Sequence, residues 1–228
     1  KVILLPLQPH FSASTGGSSL AYWRAHGPVE APTTLVSEYA THPKLIRALN
    51  ERIDEGLQRF DREVRGRVRI LFAAHGAAKR HLTRLGDPYC CQVHATVRAV
   101  LDARTDSRQS SVAFLPTLGS GAELGERVGD AVADAADDGA SALLVVPISF
   151  LSDRIDTAFD LDVTGRAIAA KEGIRHFEVT NGLNDHPLVI DALAECVVTH
   201  VEPDVLDAGL GLADTSLTPA PSHCPVCD

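Results

Sequence analysis

Two stretches of the chain carry residues that could do chemistry. Residues 70–76 read Ile-Leu-Phe-Ala-Ala-His-Gly, a short apolar run that stops at His75 and Gly76. Residues 142–150 form a second apolar run, which leads into Ser152, Asp153, Arg154, Ile155, Asp156, Thr157, Ala158, Phe159 and Asp160. In open α/β sheets ligands bind outside the carboxyl ends of strands. A histidine there can act as a base or metal ligand near neutral pH. One imidazole with several carboxylates at neighbouring strand ends suits a hard-to-borderline cation. Asp156 and Asp160 are four residues apart, so on a helix they would share a face. The same residues also have a plainer reading, with His75 as a loop residue and the carboxylates as helix caps.

A third stretch, residues 8–19, is rich in hydroxyls and glycine and follows the apolar run at residues 2–7. It could wrap a ligand with hydroxyl and backbone N–H donors. Equally, Ser18 or Ser19 could cap a helix over residues 20–25.

The elements that must position these groups alternate. Apolar runs at residues 2–7, 34–37, 68–72, 111–115, 142–148 and 176–179 read as strands. Helical spacing places helices at residues 42–60, 89–101, 122–136, 159–170 and 187–201, the first with Leu45, Ile46, Leu49, Ile53, Leu57 and Phe60 on one face. Alternation of this kind implies parallel strands joined by crossover helices, hence an α/β fold with a doubly wound parallel sheet covered on both faces. From about residue 203 the chain turns loop-like, with Pro219, Pro221 and Pro225. No internal repeat is evident from the sequence.

The 228 residues allow one large domain, and 45% hydrophobic content is enough for a normal core. A formal charge of -9 argues against nucleic acid and anionic membrane surfaces as partners. No stretch reaches the roughly 20 apolar residues of a membrane span. The opening at Lys1 and a strand is not patterned as a signal peptide and reads as mid-domain sequence. Five unevenly placed cysteines (Cys90, Cys91, Cys196, Cys224 and Cys227) make no secreted disulfide framework and suggest a reducing, cytoplasmic compartment. Cys196 lies within an apolar helical pattern and reads as a small core residue.

Four segments together carry a family resemblance. They are Leu4 to Ser12 with Thr15 to Ser19; Ile70 to Gly76 with Gly86-Asp87-Pro88-Tyr89 and Gln92 to Val97; Leu144 to Asp162; and Leu183 to Pro187 with Ala192 to Ala194. Their order and spacing resemble ferrochelatase, the enzyme that inserts ferrous iron into a porphyrin at the end of haem synthesis. The resemblance implies a Rossmann-like, chelatase-type fold of two similar doubly wound domains with the porphyrin between them. The match starts partway through the family pattern, so the expectation is one complete domain plus the remnant of a second. Residues 1–20 would end the N-terminal half, 21–202 would form the C-terminal domain, and 203–228 a tail.

The resemblance also implies roles. His75 falls on the family's active-site histidine, Asp156 on its catalytic glutamate and Asp160 on the next acidic residue of that helix, with His75 and Asp156 meeting the ferrous substrate. Thr15, Asp153 and Arg154 fall at substrate-contacting positions. Three departures stand out: Arg154 replaces a histidine, Asp156 is one methylene shorter than glutamate, and Thr117 replaces a tryptophan of the porphyrin wall. Cys224 and Cys227 resemble the start of a tail that holds a [2Fe–2S] cluster in some members. A cluster needs four thiolates. The upstream ligand of the animal enzymes falls at Ala13, which leaves zinc or a cluster completed elsewhere as alternatives. The implied partners are porphyrin and ferrous iron, with peripheral membrane contact through an apolar lip that this sequence does not display. A second expectation is a porphyrin- or haem-binding protein without turnover, favoured by Arg154 and Thr117 and opposed by His75 and Asp156. A third is a chelatase for a more carboxylated tetrapyrrole.

Overall fold

Residues 1–27, 32–77, 86–116 and 125–201 are described by the computed structural model, without the side chains of residues 156 and 157. Thr117, Cys224, Cys227 and the carboxylate of Asp156 lie outside the described residues. In chain order the elements are β1 (Val2–Leu4), the π-helical turn π1 (Ala13–Gly17), α1 (Ser18–His26), β2 (Thr33–Leu35), α2 (Pro43–Gln58) and α3 (Arg62–Arg65). Then come β3 (Arg69–Ala74), α4 (Tyr89–Asp102), β4 (Ser110–Phe114), α5 (Val128–Asp137) and β5 (Ala142–Pro147). The chain continues through α6 (Ile155–Ala158), the π-helical turn π2 (Phe159–Thr164), α7 (Gly165–Lys171), β6 (His176–Val179) and α8 (Pro187–Val201).

β3 and β5 are apolar along nearly their whole length because they are covered on both faces. Alternate residues divide between two cores. Ile70, Phe72, Ala74, Leu144 and Val146 face α2, α4 and α8. Leu71, Ala73, Leu143 and Val145 face α5 and α7. Each such large side chain contributes about 1.5–3 kcal/mol on burial. The four strands of the larger sheet are parallel in the order β4-β3-β5-β6. β3 therefore pairs with β4 on one side and β5 on the other, and the winding reverses between β3 and β5. The carboxyl ends of those two strands open onto the crevice where ligands bind in such sheets.

β1 and β2 form a separate two-stranded parallel sheet, with Val2 opposite Thr33 and Leu4 opposite Leu35. The boundary expected between residues 20 and 21 falls inside α1.

The structure also shows a repeat that the sequence reading missed. His42-Pro43-Lys44-Leu45-Ile46-Arg47-Ala48-Leu49 opens α2, and His186-Pro187-Leu188-Val189-Ile190-Asp191-Ala192-Leu193 opens α8. Each histidine lies just before its helix and accepts the backbone N–H two residues on, from Lys44 and Leu188 respectively. The two helices pack together and pair reciprocally: His42 Nε2 lies 3.3 Å from Glu195 and His186 Nε2 3.2 Å from Glu51. Each glutamate sits nine residues after the histidine of its own helix.

Candidate functional site

β3 ends at Ala74, and both backbone groups of the next residue are held. The His75 N–H donates to Ser149 Oγ at 3.3 Å, and its carbonyl accepts from the Tyr89 hydroxyl at 2.9 Å. Tyr89 and Ser149 meet each other at 3.0 Å. Ser149 follows β5, so this triangle ties the ends of β3 and β5 to the start of α4. The His75 ring is exposed and meets Phe150 edge-on, with 4.9 Å between ring centroids. The result is an exposed imidazole on a fixed backbone at the reversal of the sheet.

Asp87 ties the loop before π1 to the start of α4. Its Oδ1 accepts the Tyr89 N–H at 3.0 Å, while Oδ2 accepts from Ser12 Oγ at 2.9 Å and from the Ala13 N–H at 2.7 Å. The Phe11 N–H donates to Gln92 Oε1 at 2.6 Å, and His10 Nε2 meets Thr96 Oγ1 at 2.8 Å. These contacts fasten the loop before π1 along α4. Gln8, His10, Ser12, Ser14, Thr15, His75, Tyr89 and Ser149, with Gly76 and Ala77, line a recess of about 30 Å³. A water needs about 10–15 Å³ of such space, so the recess has room for water.

Burial pushes the Tyr89 hydroxyl far above the usual phenol range, so it stays a neutral donor. Burial also lowers the His10 imidazole to about 3, so it stays uncharged.

The structure brings Thr15 and His75 to one recess, whereas Asp153, Arg154 and Asp160 do not line it. Those three follow β5 along the same edge of the sheet. Asp153 is a bracket between loops: its Oδ1 accepts the Gly182 N–H at 3.0 Å and its Oδ2 accepts from Asn184 Nδ2 at 2.8 Å. Asn184 answers with its Oδ1, which accepts the Asp153 N–H at 2.9 Å. A Cβ at Gly182 would stand 2.4 Å from Asp153 Oδ1, so the bracket needs glycine there. Arg154 is exposed, and its carbonyl accepts the Ala158 N–H at 2.8 Å. Asp160 is half-buried in π2, and its carbonyl accepts from the Gly165 N–H. Ile155, Phe159 and Val163 are exposed along this same segment.

Thr15 and Asp160 both sit in π-helical turns. Such turns are rare and are often found at functional sites. No sequence pattern announced them. The roles of Asp87, Tyr89, Ser149 and His10 were also missed, although Asp87 and Tyr89 belong to a recognised motif.

Cys90 and Cys196 are buried, and Cys91 adjoins Cys90 on α4. Burial pushes the Cys196 thiol up to about 11, away from the thiolate a metal requires. These three do not form a cluster ligand set, and no step is assigned to an iron–sulfur group. Among the described residues, no three His, Cys, Asp or Glu side chains are grouped to hold a metal ion. Among them, too, no helix is long and apolar enough to cross a membrane.

The family model for ferrochelatase matches residues 1–201. This chain belongs to the ferrochelatase family. It is 33% identical to the ferrochelatase of Gloeobacter violaceus over 88% of this chain and 62% of the relative. It is 34% identical to that of Geotalea daltonii over 86% and 61%. Against the mitochondrial ferrochelatase of Xenopus laevis it is 31% identical over 100% of this chain and 54% of the relative. The chain thus spans about half to three-fifths of the length of the curated relatives it matches. Its fold is similar to SirB from Bacillus subtilis with Fe3+, at a TM-score of 0.57 and 13% identity over 86% of this chain and 70% of that one. The sirohydrochlorin chelatase SirB from Bacillus subtilis subspecies spizizenii in complex with cobalt superposes at a TM-score of 0.56 and 10% identity, over 89% of this chain and 70% of that one.

Proposed function

We propose that this protein inserts ferrous iron into a porphyrin, with protoporphyrin IX and coproporphyrin III as the candidate substrates. The observation that carries this reading is the exposed His75 imidazole on a backbone fixed by Tyr89 and Ser149, at the wall of a small recess. Metalation replaces two pyrrole N–H bonds by bonds to iron and releases two protons; no redox step is needed. Laid across the mouth of the recess, the macrocycle presents one face to His75. The neutral ring can take a pyrrole proton or hold the iron while it sheds water. The carboxylates of Asp156 and Asp160, on the segment after β5, guide the cation in and carry protons out. Exposed Ile155 and Phe159 offer apolar surface to the ring. Arg154 is a permanent cation suited to a propionate carboxylate. Thr15 contributes to the wall of the recess, and Asp153 keeps the loop that carries Arg154 in place.

The test is anaerobic ferrous-iron insertion by the full native chain, followed by absorbance, with both porphyrins. Turnover supports the reading, and the better porphyrin names the substrate. Tight porphyrin binding without turnover would replace it with a carrier or sensor. The exposed Arg154, standing where the family has a histidine, favours that second outcome.

A further inference from the structure

The hydrogens in the wall of the recess can be assigned one by one. The Tyr89 hydroxyl gives its hydrogen to the His75 carbonyl, so its 3.0 Å contact with Ser149 is a bond donated by Ser149 Oγ. Ser12 Oγ donates to the Asp87 carboxylate at 2.9 Å. Its one hydrogen is thereby used, so Ser14 Oγ donates to Ser12 Oγ at 2.9 Å. The Thr96 hydroxyl donates to the Ala40 carbonyl at 2.7 Å or the Gln92 carbonyl at 3.1 Å. It must therefore accept from His10 Nε2 at 2.8 Å, which leaves a lone pair on His10 Nδ1. Ser12, Ser14, Tyr89, Ser149 and His10 all line the recess, and none has a hydrogen left for an occupant. Toward anything in the recess these five can only accept. His10 is 3% exposed, and its Nδ1 is buried without a protein partner. A buried acceptor without a partner is rare in folded proteins. Burial also keeps this ring neutral, as an acceptor must be.

We propose that the recess holds a water that donates its hydrogens to His10 Nδ1 and a wall hydroxyl oxygen, and that its own oxygen accepts an N–H of the metal-free porphyrin. The wall dictates this orientation, because a water beside these five residues can only donate to them. Its lone pairs are left for a donor that arrives from outside. A metal-free porphyrin carries two pyrrole N–H groups, and bending the ring tilts them out of its plane. The metallated ring carries none. The water therefore tells substrate from product: it bonds the ring before insertion and loses that bond once the two protons have left. His10 is a positioning residue for the water and does not touch the ring. The recognition of the ring rests on the proposed metalation; the water and its orientation do not.

The experiment uses the full native chain, His10→Leu and His10→Gln. Leucine removes the anchor, whereas glutamine retains a donor for Thr96 and an acceptor for the water. Absorbance titration at neutral pH gives the affinities for metal-free protoporphyrin IX and for its nickel(II) complex. Square-planar nickel(II) leaves the water no open metal position to ligate. Any difference in shape between the two rings is common to all three proteins. The native chain should prefer the metal-free ring. His10→Leu should lower that preference by about 3–10-fold, the worth of one hydrogen bond, and His10→Gln should keep most of it. An unchanged preference in a folded His10→Leu, or a glutamine variant no better than leucine, overturns the proposal. Should His10→Leu fail to fold, a high-resolution crystal structure of the native chain decides: a water within about 3 Å of His10 Nδ1 supports the proposal, and a dry recess overturns it. A native chain that shows the His10-dependent preference but inserts no iron would refute the proposed function and leave this recognition standing.

Discussion

His10 should make this protein acid-sensitive in a way one substitution removes. Burial holds its imidazole at about 3, against about 6.5 for a histidine in an unfolded chain. The folded form thus binds fewer protons than the unfolded one, so this group's contribution to stability is full above pH 6.5 and is lost as pH falls towards 3. From pH 7.5 to 5.0 the unfolded chain takes up nearly one proton here and the folded chain almost none. Integrating the difference gives a loss of about 2 kcal/mol, growing towards about 5 kcal/mol at the lower limit. His10→Gln keeps the Thr96 hydrogen bond but does not titrate. Burial also lowers His42 and His94, but both remain in the variant and cancel in the comparison. Urea unfolding of both proteins at pH 7.5 and 5.0 reads the difference. At a slope of about 2 kcal/mol per molar, the native midpoint should fall by about 1 M more than that of the variant. Midpoints that fall in parallel would refute the argument, because the folded His10 ring would then take up a proton as readily as the unfolded one.

Other substitutions read other parts of the site. Tyr89→Phe removes the hydroxyl shared by the His75 carbonyl and Ser149; it should cost about 1–2 kcal/mol and lower kcat while porphyrin affinity holds, and an unchanged kcat would show that His75 needs no such anchor. Gly182→Ala places a methyl against Asp153 and should cost about 1–3 kcal/mol in thermal or urea unfolding; native stability would mean that the bracket is dispensable. Arg154→Ala should raise KM for the porphyrin several-fold with little change in kcat, and an unchanged KM would remove Arg154 from the propionate contact.

Much of this fold was legible in the sequence because β3 and β5 are buried on both faces and read as continuous apolar runs. The α2 helix was equally clear, since Leu45, Ile46, Leu49, Ile53 and Leu57 recur at helical spacing and are all buried. The helix expected from residue 159 begins instead at Ile155 and widens into π2, a change of hydrogen-bond register that no composition encodes. His75 was found because it ends a strand. Asp87, Tyr89, Ser149 and His10 were harder because their roles come from partners 60 to 86 residues away. A hydroxyl or imidazole inside a helix or loop looks the same in sequence whether it meets water or a distant carbonyl. The paired His-Pro helix starts were visible in principle, but their meaning depends on two helices packing so that each histidine meets the other's glutamate.

The most direct test of the account is anaerobic iron insertion by the full native chain beside its His75→Ala variant, with porphyrin binding measured in parallel. The account predicts that both proteins bind porphyrin and only the native chain makes the iron complex, with the variant at least about 100-fold slower, the scale of a lost general base. Equal rates in the two proteins would contradict it, because the imidazole held over the recess would then take no part in metalation.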